Sequence, residues 1–312
     1  MGLSVEFAQQ FSPYIAIMIH RNIRKAVIPV AGYGTRFLPA SKAQPKEMFL
    51  VVDKPTIQYV VEEAVAAGIQ DILMIISKGK RAIEEHFDPN RELEAELEHA
   101  GRTLELEEIR RISSMANIHY VWQRELNGLG DAVSYAKYHV GDEAFALLLG
   151  DTIVESNTPV TRQLIDIYQR YGESVVAFEQ VALDKVSRYG IMKGRAIEDR
   201  LYQIEDLVEK PAPESAPSNL AIAGRYLLTP DIFPSLENIP PGKNNEIQLT
   251  DALRMLLQQK PIYGLHFEGD RYDIGNKLDF LKTNVIFGLR HAELGAEFRQ
   301  FLRLLSDTGP DE

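Results

Sequence analysis

Residues 31–48 read AGYGTRFLPASKAQPKEM. Two glycines, Gly32 and Gly34, are followed by the hydroxyl of Thr35 and by three cations, Arg36, Lys42 and Lys46, with one acid, Glu47. Glycine lets a backbone pass close to a ligand and offer its N–H groups. Pro39 and Pro45 stiffen the loop, so its groups need not be ordered on binding. In an acidic chain this combination suits a polyphosphate. It fits neither of the common glycine-rich patterns. A dinucleotide site needs G-x-G-x-x-G/A with a helix starting at once, and Phe37 and Pro39 stand in the way. A P-loop needs G-K-S/T after four intervening residues, which this stretch lacks. By itself, G-Y-G after a strand is an ordinary turn.

Other residues with chemistry lie at the ends of apolar runs. Asp151 closes AFALLLGD and Asp273 stands in YDIGNK. An aspartate at such a place commonly caps the next turn. Gln123 ends IHYVWQ, and Gly128 opens GLGDA. Tyr189–Gly190 stand in SRYGIM and Glu209–Lys210 end the run LYQIEDLVEK before a proline turn, while NNEIQL reads as a helix start with Asn245 as cap and Glu246 in the first turn. The seven histidines are scattered without metal or triad spacing, which argues against hydrolases.

The elements that must position these residues alternate in the first half. Strands are expected at 25–31, 71–77, 118–123 and 144–150. Helices are expected at 56–68, to about Phe87, and at 131–140. Continuous apolar strands separated by helices predict a parallel sheet covered on both faces, with ligands beyond the carboxyl ends of its strands. Residues 91–112 predict one charged helix with a narrow stripe of Leu93, Leu97, Ala100 and Leu104, suited to a surface position or a subunit contact. The second half is mixed, with strands at 174–181, 201–210, 220–228 and 261–267 and helices at 246–259, 276–290 and the C-terminus.

The chain has 312 residues, 45% hydrophobic, enough for one large α/β domain or two smaller ones. A net charge of −11 argues against nonspecific nucleic-acid binding. The chain has no cysteine, which removes disulfides and thiolate metal sites and permits a reducing compartment. No apolar run is long enough to cross a bilayer. The N-terminal stretch lacks the features of a signal peptide, and Met18 is the expected natural start.

The stretch KAVIPVAGYGTRFLPASKAQPKEMFLVVDKPTIQYV (25–60), followed in order by NGLGDAV, SRYGIM, VEKPAPESAPSNLAIAGRYLL, NNEIQLTDAL and YDIGNK, resembles the sugar-1-phosphate nucleotidylyltransferase family from Lys25 to about Arg290. The resemblance implies a Rossmann-like α/β fold, doubly wound on a mixed, mostly parallel sheet, with a smaller β-rich sugar-binding part. It implies a catalytic domain at 25–285, split into a nucleotide-binding half at 25–155 and a sugar-binding half at 156–285. An extension at 1–24 and a helical tail at 286–312 flank it.

The chain is most similar to members that join UTP and glucose 1-phosphate, with Mg²⁺, into UDP-glucose and pyrophosphate. On that resemblance Arg36 and Lys46 are catalytic. Ala31, Gly32, Gly34 and Thr35 hold the nucleotide, Gln123 pairs with the uracil edge, and Gly128 lies against the base. Tyr189, Gly190, Glu209 and Lys210 take the sugar phosphate, and Asp151 and Asp273 hold Mg²⁺. A cytoplasmic homo-oligomer, dimer or tetramer, is implied, with no nucleic-acid or membrane partner. Two alternatives stay open: the same chemistry with dTTP or galactose 1-phosphate, and a non-catalytic nucleotide-sugar-binding paralogue. The family more often has L-P-D where this chain has Leu149–Gly150–Asp151, and a small or aliphatic residue where it has Tyr33.

Overall fold

A computed structural model describes residues 22–308; the expected start at Met18 lies outside the described residues. Strand β1 (Lys25–Pro29) buries Ala26, Val27 and Ile28 completely. A short hairpin of β2 (Leu50–Val51) and β3 (Lys54–Pro55) leads into α1 (Thr56–Ala66). Ile57, Val60, Val61 and Ala64 recur at helical spacing along α1 and are fully buried, at ~1.5–3 kcal/mol for each of the larger side chains. Gly68, at φ +98°, turns the chain into β4 (Asp71–Ile76), and α2 (Arg81–Phe87) follows.

The single helix expected at 91–112 is two, α3 (Arg91–His99) and α4 (Thr103–Ser114). Gly101, at φ +69°, breaks it, and the two pack as a hairpin. Asn90 caps α3 by accepting from the Leu93 amide at 3.0 Å, and Arg110 pairs with Glu94 at 2.8 Å across the hairpin. The break splits the expected stripe. Leu97 and Leu106 turn inward, while Leu104 is 80% exposed.

The first half continues with β5 (Asn117–Trp122), α5 (Leu129–Ser134), α6 (Lys137–Val140), β6 (Phe145–Leu148), β7 (Thr152–Glu155) and α7 (Val160–Tyr171). The second half holds β8 (Val175–Gln180), β9 (Gly190–Glu198), β10 (Leu201–Glu209) and β11 (Leu220–Leu228). Helices α8 (Ile232–Asn238) and α9 (Leu249–Leu256) come next, then β12 (Tyr263–His266) and β13 (Asp270–Asp273), and the chain ends with α10 (Lys277–Arg290) and α11 (Gly295–Thr308). Among the described residues no helix is long and apolar enough to cross a membrane.

Nine strands form one sheet in the order β5-β4-β1-β6-β11-β8-β12-β10-β9. The first four are mutually parallel, as the alternating pattern predicts. Beyond them the sheet is mixed. β11 lies antiparallel between β6 and β8, β12 runs parallel to β8, and β10 is antiparallel to β12 and β9. Asp199 and Arg200 join β9 to β10, and so short a link permits only an antiparallel pair. Strand β9 escapes the sequence reading because it is exposed along most of its length; only its start, at Ile191 and Met192, is buried, where it also pairs with β11.

Alternate residues feed opposite faces. Ala26, Ile28, Ile72, Met74 and Ile76 pack with α1 and α7. Val27, Leu73 and Ile75 pack with α5, α8 and α9. Helices therefore cover both faces, which is why these strands are apolar throughout.

A separate ribbon pairs β13 with β7, with Asp273 opposite Thr152. Ile153 and Ile274 anchor it in a cluster with Val51 and Phe287. Gly269, at φ +137°, enters β13, and a Cβ there would meet the Glu155 carbonyl oxygen at 2.4 Å. Gly269→Ala is expected to lower the unfolding free energy by ~1–3 kcal/mol, read from urea titration. An unchanged midpoint and slope would show that the ribbon does not depend on this approach.

Candidate active site

The candidate residues gather where parallel β1 and β6 end, at the carboxyl edge of the sheet. The loop at 31–48 leaves β1 and folds into three short 3₁₀ turns. Ser77 Oγ donates to the Ala31 carbonyl at 2.6 Å, and Ser41 Oγ donates to that of Gly34 at 2.8 Å. Phe37, the residue that spoils a dinucleotide motif, packs edge-on to Phe49 at 5.2 Å and Phe280 at 5.8 Å. It is the loop's apolar anchor. Gly34 has φ +65°, and a Cβ there would lie 3.2 Å from Lys46 Cβ. Glycine at 34 thus serves both the turn and the passage of the Lys46 stem.

Lys46 Nζ is paired with Asp151 Oδ2. Burial pulls the ammonium down, but Asp151 and Glu47 outweigh it and hold its pKa above the ordinary lysine value. Burial likewise pushes the Asp151 carboxyl up, and Lys46, its backbone amide and Arg36 bring it below the ordinary aspartate value. Gly150 is pressed against Val30, since a Cβ would sit 2.5 Å from Val30 Cγ1.

Asp273 arrives from β13. Ile274 N donates to the Asp151 carbonyl at 3.0 Å, which ties the ribbon to the Asp151 turn. Asp273 Oδ1 accepts from Gly275 N at 2.8 Å, and Oδ2 accepts from Tyr189 Oη at 3.0 Å. Arg36 Nη1 donates to the Gly275 carbonyl at 3.2 Å. A Cβ on Gly275 would lie 2.9 Å from Asp273 Oδ1, 3.6 Å from Asp151 Oδ2 and 3.7 Å from Arg36 Nη1. Two carboxylates and a guanidinium therefore face one small space. Among the described residues no three His, Cys, Asp or Glu side chains are arranged to hold a metal by themselves. Two carboxylates suit Mg²⁺, a hard cation that takes its other ligands from phosphate and water.

Two clefts meet at Asp151. The first is lined by Ala31, Gly32, Gly34, Thr35, Lys46, Gln123 and Gly128. The second is lined by Arg36, Tyr189, Gly190, Glu209, Lys210 and Asp273. Asp151 and Glu246 line both. The structure thus brings every candidate residue to one of two adjoining clefts. Lys42, the third loop cation, is exposed. Tyr33 lines the first cleft while 71% exposed.

Within the first cleft, buried Gln123 donates its amide to Asp131 Oδ2 at 2.6 Å. Gly128, at φ +105°, lies against Ile247, whose amide donates to the Asn127 carbonyl at 2.7 Å. Asn245 and Glu246 stand before α9 rather than capping it. Within the second cleft, Glu209 accepts from Thr250 Oγ1 at 2.6 Å and pairs with Lys210 at 2.7 Å. Lys210 has φ +45°, a conformation non-glycine residues rarely adopt. Arg271 lies 4.5 Å over the Tyr189 ring and pairs with Glu179.

Several site residues were not legible beforehand. Lys80, buried, pairs with buried Glu47 at 2.7 Å directly under the loop. Burial dominates on both sides, raising the Glu47 carboxyl and lowering the Lys80 ammonium despite their pairing. Nothing in SKGKR distinguishes Lys80 from a solvated lysine. Asp131, Thr250, Arg271 and Gly275 carry no sequence signal beyond their nearness to noted motifs.

A family profile described as nucleotidyl transferase matches residues 25–287. The chain is 51% identical over 284 residues to the UTP–glucose-1-phosphate uridylyltransferase YngB of Bacillus subtilis, covering 91% of this chain and 96% of that one. It is 50% identical over 285 residues to a UTP–glucose-1-phosphate uridylyltransferase of Staphylococcus epidermidis, covering 91% and 99%. Among solved structures, a UTP-bound UDP-glucose pyrophosphorylase of Acinetobacter baumannii superposes with a TM-score of 0.84 at 42% identity, covering 91% of this chain and all of that one. A UDP-glucose pyrophosphorylase complexed with UDP-glucose gives 0.81 at 43% identity, covering 86% and 100%.

The Lys46–Asp151 pair sets a pH dependence. A lowered carboxyl contributes stability above the ordinary aspartate pKa and loses it as the pH falls through the folded value. Lys46→Met removes the largest part of that lowering and leaves only the backbone amide and Arg36 to oppose burial. The variant is expected to melt below wild type at pH 7, with a gap that narrows below about pH 4 as the carboxyl protonates in both. A gap constant from pH 7 to pH 3 would contradict the assignment of the shift to Lys46.

Proposed function

This chain belongs to the nucleotidyl transferase family, and from that premise we propose that it transfers the uridylyl group of UTP to glucose 1-phosphate, forming UDP-glucose and pyrophosphate. The observation that carries the reading is Asp151 at the junction of the two clefts, facing Asp273 and Arg36 across Gly275. A phosphate oxygen of glucose 1-phosphate attacks the α-phosphorus of UTP, and pyrophosphate leaves. The nucleophile is already an anion, so no general base is needed. Catalysis consists of positioning and charge neutralisation.

Lys46 and Arg36 hold the triphosphate and stabilise charge on the departing pyrophosphate. Gln123 directs its amide N–H to Asp131, which leaves its oxygen to accept from the uracil imide. A pocket that hydrogen-bonds one base edge rejects bases that lack the partner group. Glu209 accepts sugar hydroxyls and Lys210 holds the sugar phosphate, beside the close approach allowed by Gly190 and the Tyr189 hydroxyl on Asp273. Asp151 and Asp273 would hold Mg²⁺, which when bound supplies neutralising charge for both phosphates. The exposed Leu278 and Leu281 of α10 and Phe301 of α11 support a homo-oligomer, with these helices as contact.

A matrix of nucleoside triphosphates against sugar 1-phosphates with Mg²⁺, read by pyrophosphate release, is expected to give strong signal with UTP and glucose 1-phosphate. A stronger signal with dTTP or galactose 1-phosphate would reassign the pair, and none from any pair would favour a binding protein. Lys46→Ala is expected to lower kcat by about 10²-fold or more while UDP-glucose binding largely survives in calorimetry. Asp151→Asn should weaken Mg²⁺-dependent turnover while the circular dichroism spectrum stays that of wild type. Wild-type rates in either variant would remove the corresponding role.

A further inference from the structure

Arg225 is the largest fully buried side chain among the described residues, and it lines neither cleft. It lies on β11, whose register against β8 shifts between Ile222 and Tyr226 around Gly224, at φ +75°. Such irregularities re-aim side chains, often beside functional sites. Here the guanidinium reaches the turn that carries Asp151. Its Nη2 donates to the Thr152 carbonyl at 2.7 Å, and Nη1 donates to the carbonyls of Leu149 at 3.5 Å and Gly224 at 3.1 Å. Leu149 N returns a hydrogen bond to the Gly224 carbonyl at 3.0 Å. The carbonyls of Leu149 and Thr152 bracket Gly150 and Asp151.

Glu63 of α1 fixes the guanidinium. Its Oε2 accepts from Arg225 Nε at 2.8 Å, and its Oε1 accepts from the amide and hydroxyl of Thr161, at 3.1 and 2.8 Å. One ion pair thus joins β11, α1 and the start of α7 to the turn. A buried ion pair is a poor stabiliser, because desolvation offsets its attraction and neutral replacements of similar volume are often tolerated. Its geometry, in contrast, is hard to replace. A planar fork with five donors reaches three carbonyls and one carboxylate at once, and an ammonium, with three donors on a single atom, cannot serve all four.

We propose that Arg225, oriented by Glu63, is a positioning residue that sets where the Asp151 carboxylate stands between the two clefts. This rests on the reading of Asp151 as a metal ligand. Groups behind a metal ligand typically change metal affinity by about 10–100-fold when lost, and a misplacement of about 1 Å can cost 10²-fold in rate.

The test uses two variants of the full chain. Arg225→Lys keeps the charge opposite Glu63 but loses the fork. Arg225→Met with Glu63→Gln removes both charges and keeps an acceptor for Thr161, so no buried charge is left alone. Both are expected to fold, with near-wild-type circular dichroism. Both should lower kcat by roughly 100-fold with the KM for glucose 1-phosphate changed less than threefold, and weaken Mn²⁺ binding in the presence of UTP about tenfold by electron paramagnetic resonance. In an Asp151→Asn background, Arg225→Lys should cause no further loss of Mn²⁺ affinity. A folded variant within threefold of wild type in kcat and Mn²⁺ affinity overturns the positioning role, as does an additive loss in the Asp151→Asn background. Wild type that neither releases pyrophosphate nor binds Mn²⁺ with UTP overturns the reading of the site itself.

Discussion

A lysine and an aspartate 105 residues apart, Lys46 and Asp151, form the ion pair on which the arrangement of the site depends. One belongs to a glycine-rich loop, the other to the turn after a buried strand. Neither charge is comfortable there alone, because burial opposes both ionised forms. Each is the other's compensation, so the loop can lie on the end of the sheet.

The rest of the fold brings these two groups within reach. Parallel pairing of β1 with β6 makes the loop and the turn emerge at the same edge. The register of the β7–β13 ribbon then adds Asp273 beside them. Glycines supply the space, with Gly34 clearing the Lys46 stem, Gly150 the Val30 side chain, and Gly275 the gap between the carboxylates and Arg36. A second buried pair, Glu47–Lys80, supports the loop from below. Breaking such a pair from one side leaves an uncompensated buried charge, at ~3–5 kcal/mol. The loop is therefore held by charge at its base and by Phe37 at its back.

The four parallel strands were legible because their residues are buried on both faces and read as unbroken apolar runs, as in β4. The missed elements lack that signal. β9 is exposed over most of its length, while β7 and β13 are four residues each and form a ribbon outside the main sheet. The 91–112 segment reads as one helix because charge and leucine spacing continue across Gly101, and only the positive φ there turns it into a hairpin.

The sequence by itself determined the chemistry on offer: a rigid, cationic glycine loop, two aspartates at strand ends, and the ordered motifs that place the chain in a family. These are properties of residue type and spacing along the chain. Only the tertiary structure decided which of those residues share a space and what stands behind them. It put Asp151 at the junction of two clefts and Gln123 against Asp131. It also made Lys80 and Arg225 interior cations with carboxylate partners. An arginine in AGRYLL looks like any other in a strand, and its role depends on a register shift and a glutamate 162 residues away.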